Sequence, residues 1–396
     1  MLRIALVIGL LGAVGPFAID MYLPAMPTIA ADFATTAQAL QMTLTAYFLA
    51  FGVSQLVYGP LSDQMGRRPP MLIGLAIFLL GTLACALAPS VAALAAGRFV
   101  QGLGAATVMV VPRAVIRDLY TGPQATRLMA LVMLVISISP MLAPLAGSGI
   151  LAVAGWRWIF GVLAIAAAVS IALTVFALPE TLAPADRVPM RPGSLARSAV
   201  RLLRDRDFMG LTLTGGFAMA SFFVFIASAA FVYVESFGLS PTQFSLAFAI
   251  NAAGFFAASQ TAGALGTRFG MRRVVAWATA GFAATTLALL ALVAAGLGTL
   301  PVIVGMLVLA NAFLGPVMPT TMVLALDPHP DVAGLASSLG GAIQMMVGGA
   351  MIALAGPFFD GSALPMVATI ALCGVLALAV VATTMGPRRR EAGALR

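Results

Sequence analysis

The chain is built from successive apolar stretches, each closed by a short run of charged residues, glycine or proline. Twelve such windows are centred near Gly12, Phe51, Leu80, Ala105, Ser137, Ala167, Phe222, Gly254, Thr285, Leu309, Met345 and Leu372. About 20 apolar residues are what a helix needs to cross the hydrocarbon core of a bilayer. With 61% of 396 residues hydrophobic and 9% charged, the chain lies far from the soluble average of about 45–50% and 25%. No soluble core absorbs that much apolar surface. A soluble enzyme, a secreted scaffold and a disordered chain are excluded. The fold class expected is an all-α polytopic membrane protein with twelve transmembrane helices.

Charge placement sets the orientation. All 21 basic residues are arginine. With the N-terminus in the cytoplasm, the inner side collects Arg3, Arg67, Arg68, Arg113, Arg117, Arg127, Arg187, Arg191, Arg197, Arg201, Arg204 and Arg206. It also collects Arg268, Arg272, Arg273, Arg388, Arg389, Arg390 and Arg396. Arg157 alone falls in an outer loop, and Arg98 lies within a helix. Cytoplasmic loops carry the excess of Lys and Arg, so both termini are expected in the cytoplasm. The net charge of +8 therefore reflects topology and headgroup contact. Nucleic acid would need the cations clustered on one folded surface. The first apolar run continues past Ile19 and Tyr22 without a cleavage pattern and is read as a span, not a removed leader. Cys85 and Cys373, far apart in apolar stretches, give no disulfide or metal signal.

The longest polar interval, Pro179 to Asp207, divides the windows six and six. Boundaries follow at 1–178 for the first bundle, 179–207 for a cytoplasmic linker, and 208–396 for the second bundle and tail. An internal repeat supports the split. In "GPLSDQMGRR" the residues Gly59, Leu61, Gly66 and Arg68 match Gly263, Leu265, Gly270 and Arg272 of "GALGTRFGMR" at one offset. Two such halves imply a pseudo-two-fold axis along the membrane normal and a site between them near midplane.

"GPLSDQMGRRP" resembles motif A of the major facilitator superfamily. In that family the segment latches the outward-facing state, with its acid against a neighbouring helix end and an Arg against an acid ending helix four. The resemblance assigns this latch to Gly59, Asp63, Gly66, Arg67, Arg68 and Asp118. Thr267 replaces the acid in the second copy, which implies a weaker latch there.

Two charges stand inside the bundle. Asp20 lies seven residues before Pro27, and Arg98 eight beyond Ser90, so their depths are similar. Charges within a span usually face a cavity, and an ion pair or a shared proton relay both fit. "RFVQGLGAATVMVVPRAVIRD" is similar to the superfamily's motif B, and "AIDMYLPAMP" resembles the first-helix signature of the Bcr/CflA drug:proton antiporters. "GWRWIF", "LPET" and "AGLASSLGGA" extend that resemblance along nearly the whole chain. It implies that Asp20 and Arg98 carry proton coupling. "SPMLAPLAGSG" resembles motif C of antiporters through Pro140, Pro144 and Gly147, although Ala143 stands where the pattern has Gly. Close packing of small residues is the alternative reading of that stretch.

Tyr22, Tyr47, Phe222, Phe225, Asn251, Asn311 and Gln344 are the aromatic or polar span residues proposed to line a cavity. A largely apolar pocket with a few polar groups suits amphipathic molecules of drug size. The one histidine, His329, lies between windows, and no P-loop is present. Metal sites, Ser-His chemistry and ATP drive therefore lack their residues. The chain is expected to be no enzyme and to use no cofactor, with a proton gradient as its energy source. The resemblance implies a monomeric antiporter of the bacterial inner membrane, exporting chloramphenicol-, florfenicol- or bicyclomycin-like drugs. A proton symporter or uniporter for a small nutrient is the alternative on the same fold.

Overall fold

The computed structural model describes residues 2–120, 122–187 and 192–384; the side chains at 2–6, 122–127, 129–137, 192 and 194 are not described. Arg191, Arg388, Arg389, Arg390 and Arg396 lie outside the described residues, as do the side chains of Arg3, Arg127 and Ser137. Among the described residues there is no strand.

Among the described residues, ten helices are long and apolar enough to cross a membrane. They are α1 (Val7–Asp32), α2 (Ala37–Met65), α3 (Arg68–Ala86), α4 (Val91–Leu119), α6 (Arg157–Phe176), α7 (Arg206–Ser236), α9 (Met271–Ala294), α10 (Leu300–Leu326), α11 (Pro330–Phe358) and α12 (Ala363–Thr384). α5 (Gly122–Ala154) and α8 (Pro241–Ser259), of 33 and 19 residues, complete twelve of spanning length.

Polar caps start several of these helices. Thr36 and Ser90 accept from the amides of Ala39 and Ala93 at the heads of α2 and α4, each at 3.2 Å. Ser240 and Gln243 form a reciprocal capping box on α8, and Asp205 accepts from the amides of Asp207 and Phe208 on α7. Each cap satisfies donors that the first turn leaves free.

The helices pair in a repeated pattern. In the first half α1 packs on α5, α2 on α4, α3 on α4 and α3 on α6; in the second, α7 packs on α11, α8 on α10, α9 on α10 and α9 on α12. Adding six to each number turns one set into the other, so the repeat read from ten residues extends to the packing. Between the halves α2 packs on α11 and α5 on α8, which is again one relation applied twice.

Three sequence expectations shift by a turn or more. α2 runs to Met65, so Gly59 and Asp63 sit on its last turns and only Gly66 and Arg67 make the bend. Arg113 and Arg117 lie on α4 rather than in the loop beyond it. α1 does not end at Pro27: its regular part stops at Asp20, a 3-10 turn covers Leu23–Ala25, and helix resumes over Met26–Asp32. Pro24 supplies no amide for the carbonyl of Asp20, which accounts for the break. Asp20 is then twelve residues, about 18 Å at 1.5 Å each, from the outer end of α1.

The inter-bundle linker holds a further helix, Pro192–Arg204, before α7 begins at Arg206. The interval between α6 and α7 runs from 177 to 205.

Candidate functional site

At the break in α1 two charges meet the interior. Arg98 on α4 is fully buried and Asp20 is 3% exposed. The Arg98 guanidinium lies 4.9 Å from the ring centre of Tyr22 and 4.5 Å from that of Tyr47. One amino group donates to the carbonyl of Ala18 at 2.9 Å and to Oε1 of Gln101 at 2.6 Å. Gln101 donates in turn to Thr82 at 2.8 Å, whose hydroxyl bonds the carbonyl of Phe78. A buried cation is tolerated when dipoles and ring faces replace its water. Here α1 supplies part of that. Ala18 is in the last turn before the break, where free carbonyls concentrate and a cation is favoured.

Asp20 and Arg98 share this region without forming an ion pair. Among the described residues, the Asp20 carboxylate has no hydrogen bond or salt bridge, while Nε and one amino group of Arg98 are also unsatisfied. A static pair bolting α1 to α4 is therefore not what holds these helices. Tyr22 bonds Thr43 at 3.0 Å, and Tyr47 donates to the carbonyl of Gly15 at 3.4 Å. Four of the residues singled out in the first half thus converge on one place. Gln101 and Thr82 were missed; the one-turn spacing of Gln101 from Arg98 was the available signal.

In the second half Phe222 stacks on Phe255, and Phe225 lies parallel to Phe248 with ring centres 5.5 Å apart. Asn311 donates to Asn251 at 3.4 Å, linking α10 to α8. Gln344 on α11 is directed at Gly215 of α7 beside Thr321. These residues form a ring cluster, an amide pair and a separate amide, rather than one continuous lining. The halves meet through Phe48 and Phe223, stacked at 4.1 Å, and through Gln41, which donates to Ser228 at 3.2 Å.

Helix α5 carries the motif C residues. Pro140, Pro144 and Gly147 are buried, and the helix continues through both prolines. A Cβ on Gly147 would overlap the carbonyl of Met21, so close approach of α1 requires glycine there. The Pro144 carbonyl accepts from Ser245 of α8 at 2.9 Å, a link between the halves.

At the bend between α2 and α3 the residues singled out for a latch assemble around Arg67. It reaches Asp118 by two bonds of 2.7 and 3.1 Å, Asp63 at 2.6 Å and Ser62 at 3.1 Å. Two-pronged contact with a carboxylate is the strong geometry for arginine. Asp63 is half exposed, whereas Arg67 is 5% exposed. Arg68 points to α6, donating to the carbonyl of Val175 at 2.7 Å. Glu180, from "LPET", accepts from the amides of Arg67 and Arg68 at 2.8 and 3.1 Å and so caps α3. Burial works to raise the Glu180 pKa, but the amides of Arg67, Leu182 and Arg68 outweigh it and hold the carboxyl below its ordinary value. Gly66 has φ +93°, and a Cβ there would lie 2.6 Å from Glu180. The cluster joins α2, α3, α4 and the end of α6, all within the first half. Glu180 was not assigned to it from sequence. In the second copy Arg272 pairs with Asp207 at 3.2 Å, an acid from α7 rather than from the motif.

Comparison with known proteins agrees with this architecture. Residues 8–240 match the Major Facilitator Superfamily. The chain is 35% identical over 379 residues to an uncharacterized MFS-type transporter, YdgK, of Bacillus subtilis, covering 95% of this chain and 93% of that one. It is 31% identical to a bicyclomycin resistance protein homolog of Haemophilus influenzae, with 94% of each covered. Multidrug resistance protein D of Escherichia coli is 32% identical, with 89% and 88% covered. Among solved structures, a D-xylose-proton symporter superposes with a TM-score of 0.74 over 97% of each chain at 17% identity, a likeness of fold alone. The chain belongs to the major facilitator superfamily and, within it, to the Bcr/CflA-type transporters.

Proposed function

We propose that this protein exports amphipathic drug-sized molecules across the bacterial inner membrane in exchange for protons, by alternating access, with both termini cytoplasmic and a single chain as the working unit. The observation that carries the reading is Asp20: a carboxylate buried in the middle of a span, without an ion pair among the described residues, two residues along α1 from the carbonyl that the Arg98 cation bonds. Intramembrane acids of this kind are expensive to insert and usually serve transport. Relatives covering most of the chain are named for resistance to bicyclomycin and to multiple drugs. The rings around Phe222 and Phe225, with the amides of Asn251, Asn311 and Gln344 nearby in the second half, supply apolar faces and few polar groups, the chemistry such substrates need. In this cycle a proton reaching Asp20 from outside releases the drug, and its loss to the inside restores the site.

One proton moving through 100 mV yields about 2.3 kcal/mol, and one pH unit adds about 1.4. Together they sustain a roughly 500-fold gradient of a neutral drug. The test is flux in proteoliposomes of purified protein, with chloramphenicol, florfenicol and bicyclomycin as probes and an imposed pH gradient. Uphill drug movement opposite to proton movement supports the reading. Movement in the same direction, or none coupled to the gradient, sinks it in favour of symport or uniport.

A further inference from the structure

We propose that the linker helix Pro192–Arg204 is a docking element for anionic phospholipid of the cytoplasmic leaflet. The helix has three faces. Leu202 is fully buried and packs with Phe208, Leu211, Ala336 and Leu339 at the inner ends of α7 and α11. Ala196, Val200 and Leu203, spaced by four and three, form an apolar stripe; Val200 and Leu203 are 44% and 46% exposed. Arg197, Arg201 and Arg204, each one position further on, form an exposed cationic stripe beside it.

A helix with one stripe on the bundle therefore presents an adjacent apolar and cationic pair outward. That is the amphipathic arrangement that lies in a lipid interface, with apolar side chains at the acyl boundary and arginines at phosphate level. Its position suits this, because it leads directly into α7 at the inner membrane face. The charges lack internal compensation. Arg201 pairs with Asp331 at 3.0 Å, both groups being more than half exposed. Arg197 bonds only a carbonyl of its own helix. Among the described residues, Arg204 and Arg206 have no carboxylate partner. Lipid phosphate is the anion at that depth that the exposed Arg197 and Arg204 would meet. Arginine suits it, being able to bond phosphate with two parallel donors.

The experiment places the full chain in nanodiscs of phosphatidylcholine alone or mixed equally with phosphatidylglycerol, and reads the thermal unfolding midpoint. Phosphatidylglycerol should raise the midpoint of the wild type. The combined Arg197→Gln, Arg204→Gln, Arg206→Gln variant should lose most of that rise, with affinity falling roughly fivefold per arginine removed. Val200→Ser with Leu203→Ser should lose part of it. Arg268→Gln with Arg273→Gln, on the short helix Ala262–Phe269 and the first turn of α9, should keep it. A second readout guards against unfolded variants: a bimane on Ala196→Cys should be quenched by lipid spin labels more strongly when phosphatidylglycerol is present. No rise in the wild type, an equal rise in the linker and loop variants, or full reproduction by soluble inorganic phosphate would each overturn the proposal.

Discussion

Asp20 stands two residues along α1 from the Ala18 carbonyl that Arg98 bonds, and the two charges are held by different means. Arg98 has rings, a carbonyl and an amide, so its position does not depend on the acid. Asp20→Asn, nearly identical in shape, should therefore leave folding and drug binding in place while removing the exchangeable proton. Uphill export in proteoliposomes should fall to nothing, with downhill drug exchange retained. Wild-type uphill flux together with wild-type substrate-induced proton release would remove Asp20 from the coupling step. Glu180 makes a different claim. Its carboxyl is held below the ordinary 4.5 by backbone amides, so it stabilises the folded inner face fully above that value. The contribution fades as pH falls through the lowered value in the folded protein. Glu180→Gln should destabilise the protein at neutral pH, and the gap from wild type should close on acidification below about 4. A midpoint difference that is the same at pH 7 and pH 3.5 would show that the cap on α3 is not electrostatic.

The scale of the element brings α5 and α1 into contact. Gly147 sits where a Cβ overlaps the backbone of Met21, and backbone yields less than a side-chain tip. Gly147→Leu should separate the helices and cost about 1–3 kcal/mol, read as a lower unfolding midpoint with lost drug resistance or a proton leak in vesicles. Normal stability with normal coupling would refute the contact as placed. Local motifs told much at this scale. The resemblance to motif A, which brought Asp63, Arg67 and Asp118 together, led to a charge cluster that the structure contains. Glu180 escaped because it arrives from 113 residues away in sequence and carries no local pattern that points at α3. The break after Asp20 also escaped. Pro27 was read as the helix end, whereas Pro24, three residues earlier, breaks the helix at Asp20 and helix resumes beyond it. Asn251 and Asn311, 60 residues apart, were each read as lining. Spans that are apolar on every side give no stripe to say which polar residue faces which neighbour, so their pairing required the packed bundle.

Across the whole molecule, the two halves are pinned by α2 against α11 and α5 against α8, with Gln41–Ser228, Phe48–Phe223 and Ser245–Pro144 as side-chain links. Gln41 and Ser245 stand within the first turns from the outer ends of α2 and α8. In the proposed orientation, with both termini cytoplasmic, these links favour closure on the outer side. Phe48→Ala removes a stacked pair worth about 0.5–1.5 kcal/mol beyond its buried area, which should shift the equilibrium toward outward opening about two- to tenfold. Spin-label distances across the outer ends of α2 and α7 would lengthen in a larger fraction of molecules. An unchanged distribution would mean that the stack fills space without holding the gate. The twelve-span count and the six-plus-six division were legible because bilayer thickness sets helix length. These cross-half links were not, since they join residues more than a hundred positions apart.

The interruption of α1 has a mechanical side. The inner segment rests on α4, α5 and α6, while the short outer segment Met26–Asp32 touches α2 and reaches across to α7 of the other half. The helix is thus two rods sharing a joint, one anchored in its own bundle and the other leaning on the bundle that rocks against it. A lever travels least at its fulcrum, and Asp20 stands there. In the exchange cycle proposed above, the carboxylate at this joint travels little while the water that can reach it changes sides, so proton hand-over there is timed by access.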